Sequence, residues 1–281
     1  RDTRIGLVGS EMCIRDSMGA GRTARAASEF ENISVAPSSS ELVRREALWK
    51  ASELYGEAGS LTEEQRVLND IITRYPEPIS ESIEARARMA EISKETGDEA
   101  GRTAILRSLV EVDATAGVQR SDRTRYLAAT ASLELAEPVR RRFEVVKLTQ
   151  PLADSLKLKR ELMEEVIAAY TKASNYAVAE VTTAATFRLG EVYEQFSSDL
   201  MSSDRPTNLE ADALEQYEIL LEEQAYPFEE KSIDLYMANT DRAADGIYDE
   251  WVRKSFDRLA GLMPARYAKK ERSEDVVTAL Y

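Results

Sequence analysis

SELYGEAGS at Ser52–Ser60 and AEISKETGD at Ala90–Asp98 are two versions of one phrase. Aligned, Glu91 falls under Glu53, Ile92 under Leu54 and Gly97 under Gly59, an offset of 38 residues. The residues after each phrase keep that offset: Val67, Leu68, Ile71 and Ile72 match Ile105, Leu106, Leu109 and Val110. Apolar pairs four residues apart mark one face of an α-helix. Each unit therefore reads as helix, short glycine turn, helix. Glycine suits that turn because it enters positive φ without a Cβ penalty. Ser60 with Glu63 reads as a capping box opening the second helix, and Pro76 and Pro78 as its end.

The same period extends outward. In 151–174, Leu152, Leu156, Leu162, Met163, Val166, Ile167 and Tyr170 form a one-sided stripe, and in 177–200 so do Val178, Val181, Ala185, Leu189, Val192, Phe196 and Leu200. No stretch alternates long enough for a strand. Residues 121–149 read as a degenerate helix pair. Composition agrees: 43% of the 281 residues are hydrophobic and 31% charged, with only 12 glycines and 8 prolines. That balance belongs to helix-rich globular chains.

Two units and a later third carry a family resemblance. Leu189-Gly190-x-x-Tyr193, followed by Ala213, Tyr217, Leu220 and Pro227, resembles the tetratricopeptide repeat. Thr207 and Glu210 offer a capping box between the two parts, and SSDLMSSDRPTN reads as an insertion lengthening the turn. The unit at 47–76 keeps Tyr55, Gly59, Leu68, Ile71 and Pro76, but has Ala51-Ser52 where Leu-Gly is expected. The unit at 85–113 keeps Gly97-Asp98 but has Ser93 for the tyrosine. The resemblance implies an all-α solenoid of helical hairpins, with repeats over 18–119, a divergent helical region over 120–265 and a tail at 266–281. Most of residues 18–281 also resembles the C-terminal region of large bacterial multi-repeat proteins. That resemblance implies a periplasmic or envelope setting in a TonB-type assembly.

Residues 1–17 stand apart. LVGSEMCIRDS, Leu7–Ser17, has no helical or strand period and resembles a translated sequencing adapter. Setting it aside removes Cys13, the single cysteine. The gene is then expected to be a metagenomic fragment. Ala20–Ile33 would be the second helix of a cut repeat, with Ala27, Phe30 and Ile33 exposed at an uncapped end.

Residue supply limits the chemistry. With no histidine, Cys–His and Ser–His–Asp catalysis have no residues to use. Lys and Arg number 37 against 51 Asp and Glu, a net charge of −14. Such a surface repels phosphate backbones, so no nucleic-acid partner is expected, and no cofactor or metal. No apolar run approaches a membrane span. Adjacent acids at Glu63-Glu64, Glu164-Glu165, Glu222-Glu223 and Glu229-Glu230 could serve a helical-toroid glycan-active enzyme, but on amphipathic helices they are ordinarily solvated faces. Asp241, Asp245 and Asp249 share a helix face, yet lack the EF-hand spacing. Gly19-Ala20-Gly21 lacks the rest of a phosphate loop. Arg140-Arg141-Arg142 could grip phosphate or pair with Glu137 and Glu144.

The expected function is a non-enzymatic scaffold binding protein or peptide segments along an acidic concave groove. Its alternatives are the glycan-active enzyme and a structural spacer. Counting from Tyr55, Trp49 falls one place after the family's buried aromatic, which points it into the groove beside Glu53 and Glu57. Glu84 and Glu91 come next, on the following first helix, and Phe187 holds Trp49's place before Tyr193. A register shift of one residue would instead put both aromatics in the core.

Overall fold

The computed structural model describes residues 23–207 and 209–268. The adapter-like 1–17, Gly19-Ala20-Gly21 and 269–281 lie outside them. Among the described residues there are eleven α-helices and no strand. They are α1 Thr23–Val35, α2 Glu41–Glu57, α3 Leu61–Arg74, α4 Ile79–Glu95, α5 Glu99–Thr115, α6 Asp122–Val145, α7 Leu152–Ser174, α8 Ala179–Met201, α9 Ala211–Asp241, α10 Glu250–Leu262 and α11 Pro264–Tyr267. No described helix is long and apolar enough to cross a membrane. The chain divides into two compact units, unit 1 up to Ala131 and unit 2 from Ser132. The division falls inside α6.

In unit 1 the glycines of the two aligned phrases both stand in turns between helices. Gly59 and Gly97 occupy the α2–α3 and α4–α5 turns at φ 69° and 76°, so a side chain at either would be strained. Leu54, Val67, Leu68, Ile71 and Ile92 are fully buried, each contributing about 1.5–3 kcal/mol. From α1 to α5 each helix packs on the next, and side chains link helices two apart. Arg66 of α3 holds Glu31 of α1 at 2.8 Å, and Arg74 of α3 donates to the Ser34 carbonyl of α1 at 3.2 Å. On the other side, Trp49 of α2 reaches Glu81 of α4 and Arg123 of α6 reaches Glu84 of α4. These four links join residues 32 to 40 apart, close to the repeat period.

In unit 2, α8 packs against both α7 and α9 around Phe143, Met163, Val166, Tyr170, Val192 and Phe196. A second cluster joins Phe187, Tyr236 and Leu259.

Several expectations change. Residues 122–145 form one helix through Pro138, because no glycine turn interrupts the helix-forming run around it. α9 likewise continues through Pro227 to Asp241. Each proline removes one backbone bond without breaking the flanking turns. Neither proposed capping box forms: the Ser60 side chain makes no cap bond, and α9 begins after Glu210 rather than Thr207. Glu63 pairs with Arg66 instead. Ala27 is fully buried, and Phe30 packs on the unit 1 core. The exposed apolar residues nearest that end are Val35, Leu42 and Val43.

Candidate functional site

The wall made by α2, α4 and the start of α6 carries the unit 1 candidates. On α4, Glu81, Glu84, Arg88 and Glu91 recur at three- and four-residue steps and so share one face. Trp49 is half-buried against the core, and its indole N–H donates to Glu81 Oε2 at 3.0 Å. Arg45 meets the same carboxylate at 3.2 Å. Glu84 accepts from Arg123 at 2.6 and 3.0 Å. Arg88 donates to both oxygens of Glu64 at 2.6 and 3.0 Å and reaches Glu91 at 3.2 Å. Glu64 is 3% exposed. It fits because position 56 is glycine: a Cβ there would lie 2.9 Å from Glu64 Oε2. Glu53 and Glu57 are exposed, and Glu53 pairs with Lys50 at 2.7 Å. The wall is thus one of alternating charge around a tryptophan, with arginines where the sequence suggested bare acid. Arg45, Glu81, Arg88 and Arg123 escaped the sequence reading, since their partners stand mostly a full repeat away.

Unit 2 holds a polar cleft of about 310 Å³ along α8. Glu191, Glu194 and Ser198 succeed one another up that helix. Arg140, Phe143 and Glu144 enter from α6 and Arg258 from α10. The charges form a continuous chain. Arg140 pairs with Glu144 and, at 2.9 Å, with Glu137. Glu137 meets Arg188 at 3.6 Å, and Arg188 meets Glu191 at 2.7 Å. Arg258 bridges Glu191 and Glu194 at 3.3 and 3.5 Å. Two buried tyrosines feed it from below, Tyr170 donating to Glu137 at 2.8 Å and Tyr236 to Glu194 at 2.7 Å. Arg142 pairs with Glu165, so of the arginine triplet two members are engaged with acids.

Phe187 does not stand on an open wall. It is 4% exposed, with ring centroids of Tyr236 and Trp251 at 5.5 and 5.6 Å. The more accessible aromatic there is the half-buried Trp251, flanked by Arg188 at 5.1 Å and Lys254 at 4.0 Å. Asp249 caps α10 by accepting from the Trp251 and Val252 amides. Among the described residues no group of acids gathers as a metal site.

The tyrosines' electrostatics reflect their burial. Burial first, then the adjoining carboxylate, pushes Tyr170 and Tyr236 above the usual phenol value. Glu137 goes the other way. Burial alone would raise it, but hydrogen bonds from Tyr170 and Arg140 and the charges of Arg140 and Arg188 hold it below its ordinary 4.5. A carboxylate lowered on folding contributes stability above its unfolded value, and loses it as pH falls through the folded one. Glu137→Gln should therefore flatten the acid limb of unit 2's stability below pH 4.5. Thermal melts at stepped pH would check this. Equal slopes for parent and variant would mean the network does not hold the carboxylate ionised.

Compared with known proteins, no family model matches the chain, and no curated protein matches it.

Proposed function

We propose that this chain is an interaction scaffold. It would be a solenoid of tetratricopeptide-like hairpins whose first helices, α2, α4 and α6 in unit 1, form a wall that takes an extended segment of a protein partner. The observation that carries this reading is the pair of links at one-repeat spacing, Trp49 to Glu81 and Glu84 to Arg123. They join successive first helices through their side chains, as a stack of repeats would.

Trp49 offers a half-buried aromatic face of the kind that anchors bound segments. The acids near it are only loosely committed. Glu53–Lys50 and Glu91–Arg88 are exposed pairs, worth about 0–1 kcal/mol each. They can exchange their partners for lysine or arginine on an incoming segment. A segment with apolar and basic side chains fits best. The bacterial-envelope setting rests on the sequence resemblance alone.

Peptides selected from a random library on the full chain test the reading. Trp49→Ala should weaken the selected peptides at least roughly tenfold, while the cooperative melt persists. Glu53→Lys should slow association chiefly at low salt. If both variants bind the selected peptides like the parent, the wall is not the seat.

A further inference from the structure

The first half of α9 has an unusual outward face. Its inner face is satisfied: Leu221 and Ala225 are buried, and Phe228 packs on Phe196 at 4.5 Å. Yet Ile219, Leu220 and Tyr226 are 51%, 56% and 61% exposed. Ile219 and Tyr226 stand seven residues apart, two turns along one stripe and about 10 Å from each other. Asp212, Glu215, Glu222, Glu223 and Glu230 surround that stripe, all exposed. From Ala211 to Glu230 there is no lysine or arginine. Among the described residues, the only ion pair made by these acids and Glu218 is that of Glu218 with Arg205, at 3.5 Å.

An apolar stripe between unpaired carboxylates has a definite complement. A second copy of this face would bring two acid-lined surfaces together, and anionic lipid or nucleic acid would be repelled by it. A helix with an apolar seam flanked by lysine or arginine would meet both features at once. Helix-on-helix packing repeats its contacts at the same two-turn spacing.

We propose that the outward face of α9 between Asp212 and Glu230 docks a basic amphipathic helix of a protein partner, with Ile219 and Tyr226 as its anchors. The site is separate from the first-helix wall and does not depend on it.

The test uses the full chain and two synthetic helical peptides of equal length, one with a leucine seam flanked by lysine and one flanked by glutamate. The lysine peptide should bind, more weakly as salt rises. Ile219→Ser/Tyr226→Ser should weaken it roughly tenfold or more with the melting temperature unchanged. Leu42→Ser, at an exposed apolar position in unit 1, should leave it unchanged. Hydrogen exchange should slow at 211–230 when the peptide is bound. Equal binding by the Ile219→Ser/Tyr226→Ser variant, or by the glutamate peptide, would overturn the proposal. So would a dimer that sedimentation shows to dissociate in that variant, since the occupant would then be a second copy.

Discussion

Replacing Lys159 with methionine should cost unit 2 about 3–5 kcal/mol of stability, seen as a lower urea midpoint with an unchanged slope. Lys159 is fully buried, the most polar of the large side chains sealed inside the molecule. Its ammonium donates to the Phe143 and Val146 carbonyls at 2.6 and 2.7 Å and meets Asp199 at 2.7 Å. The ring of Phe143 lies 4.1 Å from the same nitrogen. The ammonium thus closes the end of α6, where carbonyls lack helical partners, and ties α6 to α7 and α8. Methionine fills the volume but donates nothing. It would take a donor from both carbonyls, leaving that of Phe143 only the Val146 amide at 3.4 Å, and leave Asp199, whose side chain is 17% exposed, without its counter-charge. Lys159→Met/Asp199→Asn should recover part of the loss, because the orphaned charge goes with it. A single-variant loss under about 1 kcal/mol would show that water reaches the site.

Lys159 also marks how far the sequence could be read. It sits at the helical step between Leu156 and Met163, inside an otherwise apolar stripe. A lysine interrupting such a stripe is a visible signal of a buried, partnered charge. Its partners were not visible, because Phe143, Val146 and Asp199 lie outside its own helix, two before it and one after. The hairpins of unit 1 were legible for the opposite reason: helix, glycine turn and apolar face are all local patterns. Pro227, matched to the repeat's late proline, does not close its helix. Pro138 and Pro227 sit in runs with no turn residue beside them, and there the helix absorbs one lost bond. The candidate wall was half legible. Register placed Trp49 on it, but the arginines that neutralise it answer to acids a repeat away, and no local spacing encodes that.

Gly190 joins the two kinds of reading, and it supports the second large prediction. Sequence resemblance marks a glycine at this position without a reason; the packing of α8 on α9 supplies one. A Cβ on residue 190 would lie 2.5 Å from Tyr236 Cε1 and 2.9 Å from Cδ1 and Cζ. The ring cannot step aside. It is fully buried, faces Phe187 at 5.5 Å, and its hydroxyl is held by Glu194 at 2.7 Å. Alanine should favour an isolated helix over glycine by about 1 kcal/mol. Gly190→Ala should nonetheless destabilise unit 2 by about 1–3 kcal/mol, the range for overpacking a close-packed site. The sign should depend on the ring. In a Tyr236→Ala background the clash is gone, and Gly190→Ala should become neutral or stabilising. Tyr236→Phe frees the ring from Glu194 and should soften the penalty without abolishing it. Calorimetric melts of the single and double variants beside the parent measure this coupling. Were Gly190→Ala to cost the same with and without the Tyr236 ring, the close approach of α8 and α9 could not be the reason for glycine at this position.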